Sequence, residues 1–200
     1  GKGEYDGSIT ESFRIEQADI GNTDIVEIRN QVYTGQAVTP EMDISYNGVA
    51  LVYGKDYTAN YSNNYEIGEA TVEIIGKGNF KGSITKNFTI EEKHIGRAAM
   101  RTIDNQIYNG MEIQPEVVVE DGSTVLKQGQ DYTYVYQDNI NAGTAKIIIT
   151  GHGNYGKTSE ETFIIEPKPI NNLQVEDIPD FDYTGFEIKP LVSVYDTEID

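Results

Sequence analysis

The chain has 200 residues, with 15 Lys+Arg against 33 Asp+Glu, a formal net charge of −18 and no cysteine. The missing thiols exclude disulfide staples, zinc-thiolate sites and cysteine nucleophiles, and the acidic balance argues against nucleic acid as a partner, because phosphate binding needs clustered cations. No apolar run approaches the roughly 18 residues of a membrane-spanning helix, so no membrane insertion by this segment is predicted.

In chain order, Phe13 and Ile15 form an apolar pair two residues apart, as at the end of a strand, and a polar stretch carrying Ile20 follows. Tyr33-Thr34-Gly35 and Pro40 come next, then Asn47-Gly48 between apolar stretches, a hairpin signal because both residues accept positive φ. Gly54 precedes Asp56-Tyr57 in a second turn, and Asn63-Asn64 through Gly68 make a third. Ala70, Val72 and Ile74 alternate with Thr71, Glu73 and Ile75, the period of a half-buried strand. Gly76-Lys77-Gly78 turns the chain, and Phe88 and Ile90 repeat the terminal apolar pair.

The same order then restarts. Tyr108-Asn109-Gly110, Pro115, Asp121-Gly122, Gly129, Asp131-Tyr132, Asp138-Asn139, Gly143, Ala145/Ile147/Ile149, Gly151-His152-Gly153 and Phe163/Ile165 follow, and Tyr183-Thr184-Gly185 with Pro190 opens a third round. The offsets 108 − 33 and 183 − 108 are both 75. A fixed period of this size is the mark of a tandem array. It divides the chain into 1–14, the end of a preceding unit, complete units at 15–89 and 90–164, and 165–200, the first half of a following unit. Both ends are thus expected to lie in mid-unit, with the equivalent of 51–75 missing between them. Short strands broken by Gly, Asn and Asp turns, without helical periodicity, predict an all-β chain of small antiparallel β-sandwiches. The junctions carry no Gly/Ser tract, and Ile20, Ile95 and Ile170 within them are expected to pack against adjacent modules in an elongated arrangement.

The sequence of Tyr-x-Gly, Pro, Leu-x-x-Gly-x-Asp-Tyr, Tyr-x-x-Asn, Gly-x-Ala, Gly-x-Gly-Asn-aromatic and Phe-x-Ile resembles the bacterial Ig-like tandem repeats of the MBG/YDG type. It is carried by Tyr33, Gly35, Pro40, Leu51, Gly54, Asp56, Tyr57, Tyr61, Asn64, Gly68, Ala70, Gly76, Gly78, Asn79, Phe80, Phe88 and Ile90, and again from Tyr108 to Ile165. The resemblance implies an Ig-like module outside the cell, on a bacterial surface or in a secreted protein, with no catalytic residues to carry over.

Residues present at one position in both copies are read as scaffold: Tyr33, Gly35, Pro40, Asp56 and Tyr57, with Tyr108, Gly110, Pro115, Asp131 and Tyr132. Their tyrosine rings are expected to fill the core with hydroxyls on backbone groups, and Asp56 and Asp131 to cap their own turns. Tyr132, Tyr134 and Tyr136 alternate onto one face and are the candidate ligand-binding stripe, complete in one copy only, since Ala59 stands where the second copy has Tyr134. Asp138, Asn139 and Asn141 are the candidate ligands for a structural calcium ion, which needs 6–8 converging oxygens; no other cofactor is expected. No lysine beside an acid recurs at Lys55, Lys77 or Lys86, and His94 and His152 have no counterpart histidines.

The expected function is a non-catalytic stalk or spacer of an extracellular bacterial surface protein, its partners being the neighbouring repeats. Two alternatives stand beside it: an adhesin-type module for host or cell-wall glycans or proteins, and self-association into a filament or surface layer.

Overall fold

The structure is a computed structural model and describes residues 3–197. The fragments 1–14 and 165–200 therefore lie partly outside the described residues. The fold is all-β with curled sheets, and the chain divides into two compact units, Gly1–Glu92 and Lys93–Asp200.

In the first unit the strands are β1 (Ala18–Asp19), β2 (Asp24–Ile25), β3 (Gln31–Val32), β4 (Ile44–Tyr46), β5 (Val49–Ala50), β6 (Tyr57–Ser62), β7 (Gly68–Gly76), β8 (Phe80–Lys81) and β9 (Ser83–Glu91). They form a four-stranded sheet in the order β3-β9-β7-β6, a three-stranded sheet β2-β4-β5 and the pair β1-β8. The long β7/β9 hairpin is the spine, in antiparallel register from Gly68↔Ile90 to Ile75↔Ser83. Alternation along it buries Ala70, Val72, Ile74, Phe88 and Ile90. Ile44 of β4, Ile28, Val38, Tyr57 and Phe80 complete that core. At the bend the β7 backbone passes so close to β8 that a Cβ on Gly76 would lie 2.8 Å from the Lys81 nitrogen, so only glycine fits there.

The second unit has β10 (Lys93–His94), β11 (Ala99–Met100), β12 (Gln106–Ile107), β13 (Val119–Asp121), β14 (Thr124–Val125), β15 (Tyr132–Gln137), β16 (Gly143–Gly151), β17 (Tyr155–Gly156) and β18 (Thr158–Glu166). Each begins 75 residues after its counterpart, as 119 − 44 for β13 and β4 or 132 − 57 for β15 and β6. The sheets follow the same orders, β12-β18-β16-β15, β11-β13-β14 and β10-β17. Beyond them the chain adds β19 (Gln174–Val175) and β20 (Val194–Tyr195), an antiparallel pair.

Several details differ from the sequence reading. The sheets are mixed rather than antiparallel throughout: β3 runs parallel to β9, with Gln31 opposite Ile90, and β1 parallel to β8. Two-residue strands carry no periodicity, so their direction is set by the path of the chain and is invisible in an alternation pattern. β9 and β18 extend to Glu91 and Glu166, past residues 89 and 164. The second hairpin turn is Gly122-Ser123 rather than Asp121-Gly122, because Asp121 still belongs to β13 and pairs with Thr124. Ile20 lies inside the first unit's own core, buried from a 3-10 turn over Ile20–Asn22, and Ile95 is buried from the matching turn of the second unit. These isoleucines plug their own units, because the turn folds back beside β9 and β18. Ile170 is 76% exposed. Residues 5–17 contain no strand, and Phe13 is 87% exposed where its counterpart Phe88 is buried.

Candidate functional site

The face shared by residues 57, 59 and 61 of β6, and by 132, 134 and 136 of β15, carries most of the aromatic chemistry. β6 and β15 are edge strands of their four-stranded sheets, and beside each runs an irregular segment, 39–43 and 114–118. Tyrosine hydroxyls tie the strand to that segment. Tyr61 donates to the Pro40 carbonyl at 2.9 Å, Tyr136 donates to the Pro115 carbonyl, and Tyr132 donates to the Val117 carbonyl at 2.9 Å. Tyr61 and Tyr136 each meet a core phenylalanine edge-on, Phe88 and Phe163, at 6.3 Å between ring centroids. Burial pushes the Tyr136 hydroxyl up to about 12, with Tyr134 adding to the effect. Tyr57, Tyr61 and Tyr132 are also raised, burial being the largest cause in each.

The stripe Tyr132, Tyr134, Tyr136 is one interlocked stack. Tyr134 lies nearly parallel to Tyr132, with centroids 6.3 Å apart and planes at 25°, and meets Tyr136 edge-on at 5.5 Å and 76°. Tyr132 is buried and the other two rings are half-buried. A recess of about 470 Å³ remains beside Tyr134 and Tyr136, rimmed by Glu112, Glu116 and Gln128. In the first unit the corresponding groove measures about 590 Å³ and is lined by Pro40, Met42, Tyr53, Tyr57, Ala59 and Tyr61. Tyr53, 64% exposed, stands over Tyr57 edge-on at 5.7 Å. The sequence reading sets Ala59 against Tyr134 and takes the complete stripe as the candidate; the larger groove lies in the other unit, where the stripe is incomplete.

The turn residues hold the backbone. Asp56 accepts from the Val52 amide at 2.9 Å and Asp131 from the Lys127 amide at 2.8 Å. Gly35 and Gly110 both take positive φ, and the Tyr33 and Tyr108 amides donate to the carbonyls of Glu91 and Glu166, both at 2.9 Å. Asn139 is buried; its side-chain amide donates to the Ile113 carbonyl at 3.1 Å while its own carbonyl accepts from the Ile113 amide at 2.8 Å. Asn64 makes the same pair of bonds with Val38. For calcium, the 138–144 turn thus offers the exposed carboxylate of Asp138 beside an asparagine already committed to the fold. Asp138, Asn139 and Asn141 line one recess of about 360 Å³ on this turn, and Asn141 also borders a second with Tyr108 and Pro167. Among the described residues no group of three or more His, Cys, Asp and Glu converges.

Two further arrangements escaped the sequence reading. Lys93 donates to both carboxylate oxygens of Asp121 at 2.6 and 2.7 Å, and Tyr155 donates to the same carboxylate at 3.0 Å. Lys168 and Asp196 pair in the same manner at 2.8 Å, and 168 − 93 and 196 − 121 are both 75. A lysine beside an acid therefore does recur. The first unit has Ala18, Tyr46 and Phe80 at those places, with Tyr46 and Phe80 edge-on at 5.4 Å, so an ion pair and an aromatic pair fill the same niche. The histidines act as caps and bridges. His94 Nδ1 accepts from the Gly96 amide at 3.0 Å, as Asp19 accepts from Gly21, and His152 Nε2 lies 2.8 Å from the Thr133 hydroxyl.

Among the described residues, no buried side-chain polar atom lacks a partner. The chain matches no protein-family model and no curated protein.

Proposed function

We propose that this chain is a non-catalytic stalk or spacer made of tandem Ig-like β-sandwiches, similar to the MBG/YDG type, in an extracellular bacterial surface or secreted protein. The observation that carries the reading is the duplication of structural bonds in register. Tyr61 and Tyr136 on a proline carbonyl, Asn64 and Asn139 clamping residues 38 and 113, and Asp56 and Asp131 capping a turn are the same bonds 75 residues apart. Polar groups of the kinds that serve catalysis hold backbone in both units. An enzyme builds one convergent site, whereas a spacer multiplies a unit.

Pulling single molecules from their ends tests this. Two unfolding events of equal size are expected, each releasing roughly 250–270 Å of contour length from about 75 residues at about 3.3–3.6 Å per residue. One cooperative event, or two of very different size, would overturn it.

The second reading, an adhesin-type binding module, is favoured by one observation: the aromatic groove left open in the first unit.

A further inference from the structure

The two units share their strand order, and the face of β6 and β15 is one place where their side chains part. Position 59 is alanine and its counterpart 134 is tyrosine; position 53 is tyrosine and its counterpart 128 is glutamine. In the second unit the Tyr134 ring occupies the space between Tyr132 and Tyr136, stacked on one and edge-on to the other. In the first unit the flanking rings Tyr57 and Tyr61 are retained, and Ala59 leaves the space between them as part of the groove. The second unit thus shows by example what the space holds, a six-membered ring lying flat beside the residue-57 position.

The rim says which ring. Glu41 and Asp43, both exposed, border the groove, and no lysine or arginine lines it. Asp43 is specific to this unit, since valine stands at 118. A ring bearing hydroxyl or ammonium donors is matched to two carboxylate acceptors, and an ammonium gains further from the tyrosine faces; a ring bearing carboxylates is repelled. Tyr53 extends an aromatic wall outward over the groove. An apolar floor with a few polar groups at the edge is the make-up of a small-ligand site.

We infer that the groove lined by Tyr53, Tyr57, Ala59 and Tyr61 binds a pyranose ring of a glycan that carries hydroxyl or amino groups and no acidic ones, with Glu41 and Asp43 accepting its hydrogen bonds. At the corresponding place in the second unit Tyr134 takes up the space between its neighbours and leaves a smaller recess, about 470 against 590 Å³. The site does not depend on the spacer reading.

The test is titration of the whole chain with linear hexamers of β-1,4-linked glucosamine, glucose and galacturonic acid, followed by calorimetry. Binding of one glucosamine hexamer per chain is expected, with the glucose hexamer weaker and the uronic acid silent. Ala59→Tyr, which installs the ring the second unit already accommodates, should weaken binding at least tenfold without lowering the thermal midpoint by more than a few degrees. Tyr53→Ala, at an exposed position, should weaken it several-fold. Silence from all three sugars, equal binding of the uronic acid, or binding untouched by Ala59→Tyr would overturn the inference. So would heat from the peptide Tyr-Thr-Tyr-Val-Tyr-Gln with none from the sugars, which would assign the groove to a protein strand.

Discussion

Tyr136 condenses the residue-scale logic of the chain: its ring packs on Phe163 and its hydroxyl donates to the Pro115 carbonyl. Replacing it with phenylalanine keeps the ring and orphans the carbonyl, and should cost about 0.5–1.5 kcal/mol at neutral pH. The alkaline limb carries a sign. The folded hydroxyl titrates at about 12, above the unfolded value near 10, so its contribution is fully present below pH 10. From there to pH 12 the unfolded phenol ionises while the folded one resists, and stability falls; Tyr57, Tyr61 and Tyr132 act in the same direction. Urea unfolding at pH 8, 10 and 11.5 should show the gap between wild type and Tyr136→Phe narrowing; a constant gap contradicts this. Asn139 gives a second prediction. Asn139→Ala removes a buried clamp and should destabilise by about 1–3 kcal/mol, by the same amount in EDTA as in millimolar calcium. A loss seen only with calcium would return Asn139 to the role of metal ligand.

Among the elements, the long strands were legible and the short ones were not. Ala70/Val72/Ile74 and Ala145/Ile147/Ile149 announce β7 and β16 because burial on one face imposes a two-residue period, and the Asn47-Gly48 turn is written in two residues whose φ values are 49° and 77°. The parallel pairs β1-β8 and β3-β9 involve two residues a side, too few for any pattern. The groove was barely legible: Tyr57 and Tyr61 read as scaffold, Tyr53 carries no signal in the sequence, and the space between them depends on where the 39–43 segment lies. Asp121 reads as a turn residue because Asp-Gly is a strong hairpin signal, while its partner Lys93 lies 28 residues away. Glycine at the bend yields a sharp prediction. A Cβ on Gly151 would come within 2.8 Å of the Gly156 nitrogen, backbone that has no room to yield. Gly151→Ala should therefore lower the second unit's stability by several kcal/mol, whereas Gly129→Ala, where φ is positive but space is open, should cost about 1–2 kcal/mol. Equal costs at the two positions would refute the close-approach argument.

For the whole molecule, the 75-residue offset between matching strands of the two units has the widest reach, because it turns a search for sites into a comparison of units. What agrees between the copies became hydrogen bonds that hold backbone; what disagrees, Ala59 against Tyr134 and Ala18 against Lys93, marks where one unit departs from the other. The proposed spacer requires that units be strung out rather than folded onto one another, with a formal charge of −18 opposing collapse at low salt. Small-angle X-ray scattering of the chain at low and moderate salt tests this most directly. A stalk predicts an elongated particle whose radius of gyration clearly exceeds the roughly 16–17 Å of a compact 200-residue domain and whose distance distribution has a long tail. A symmetric distribution with the compact radius would contradict it.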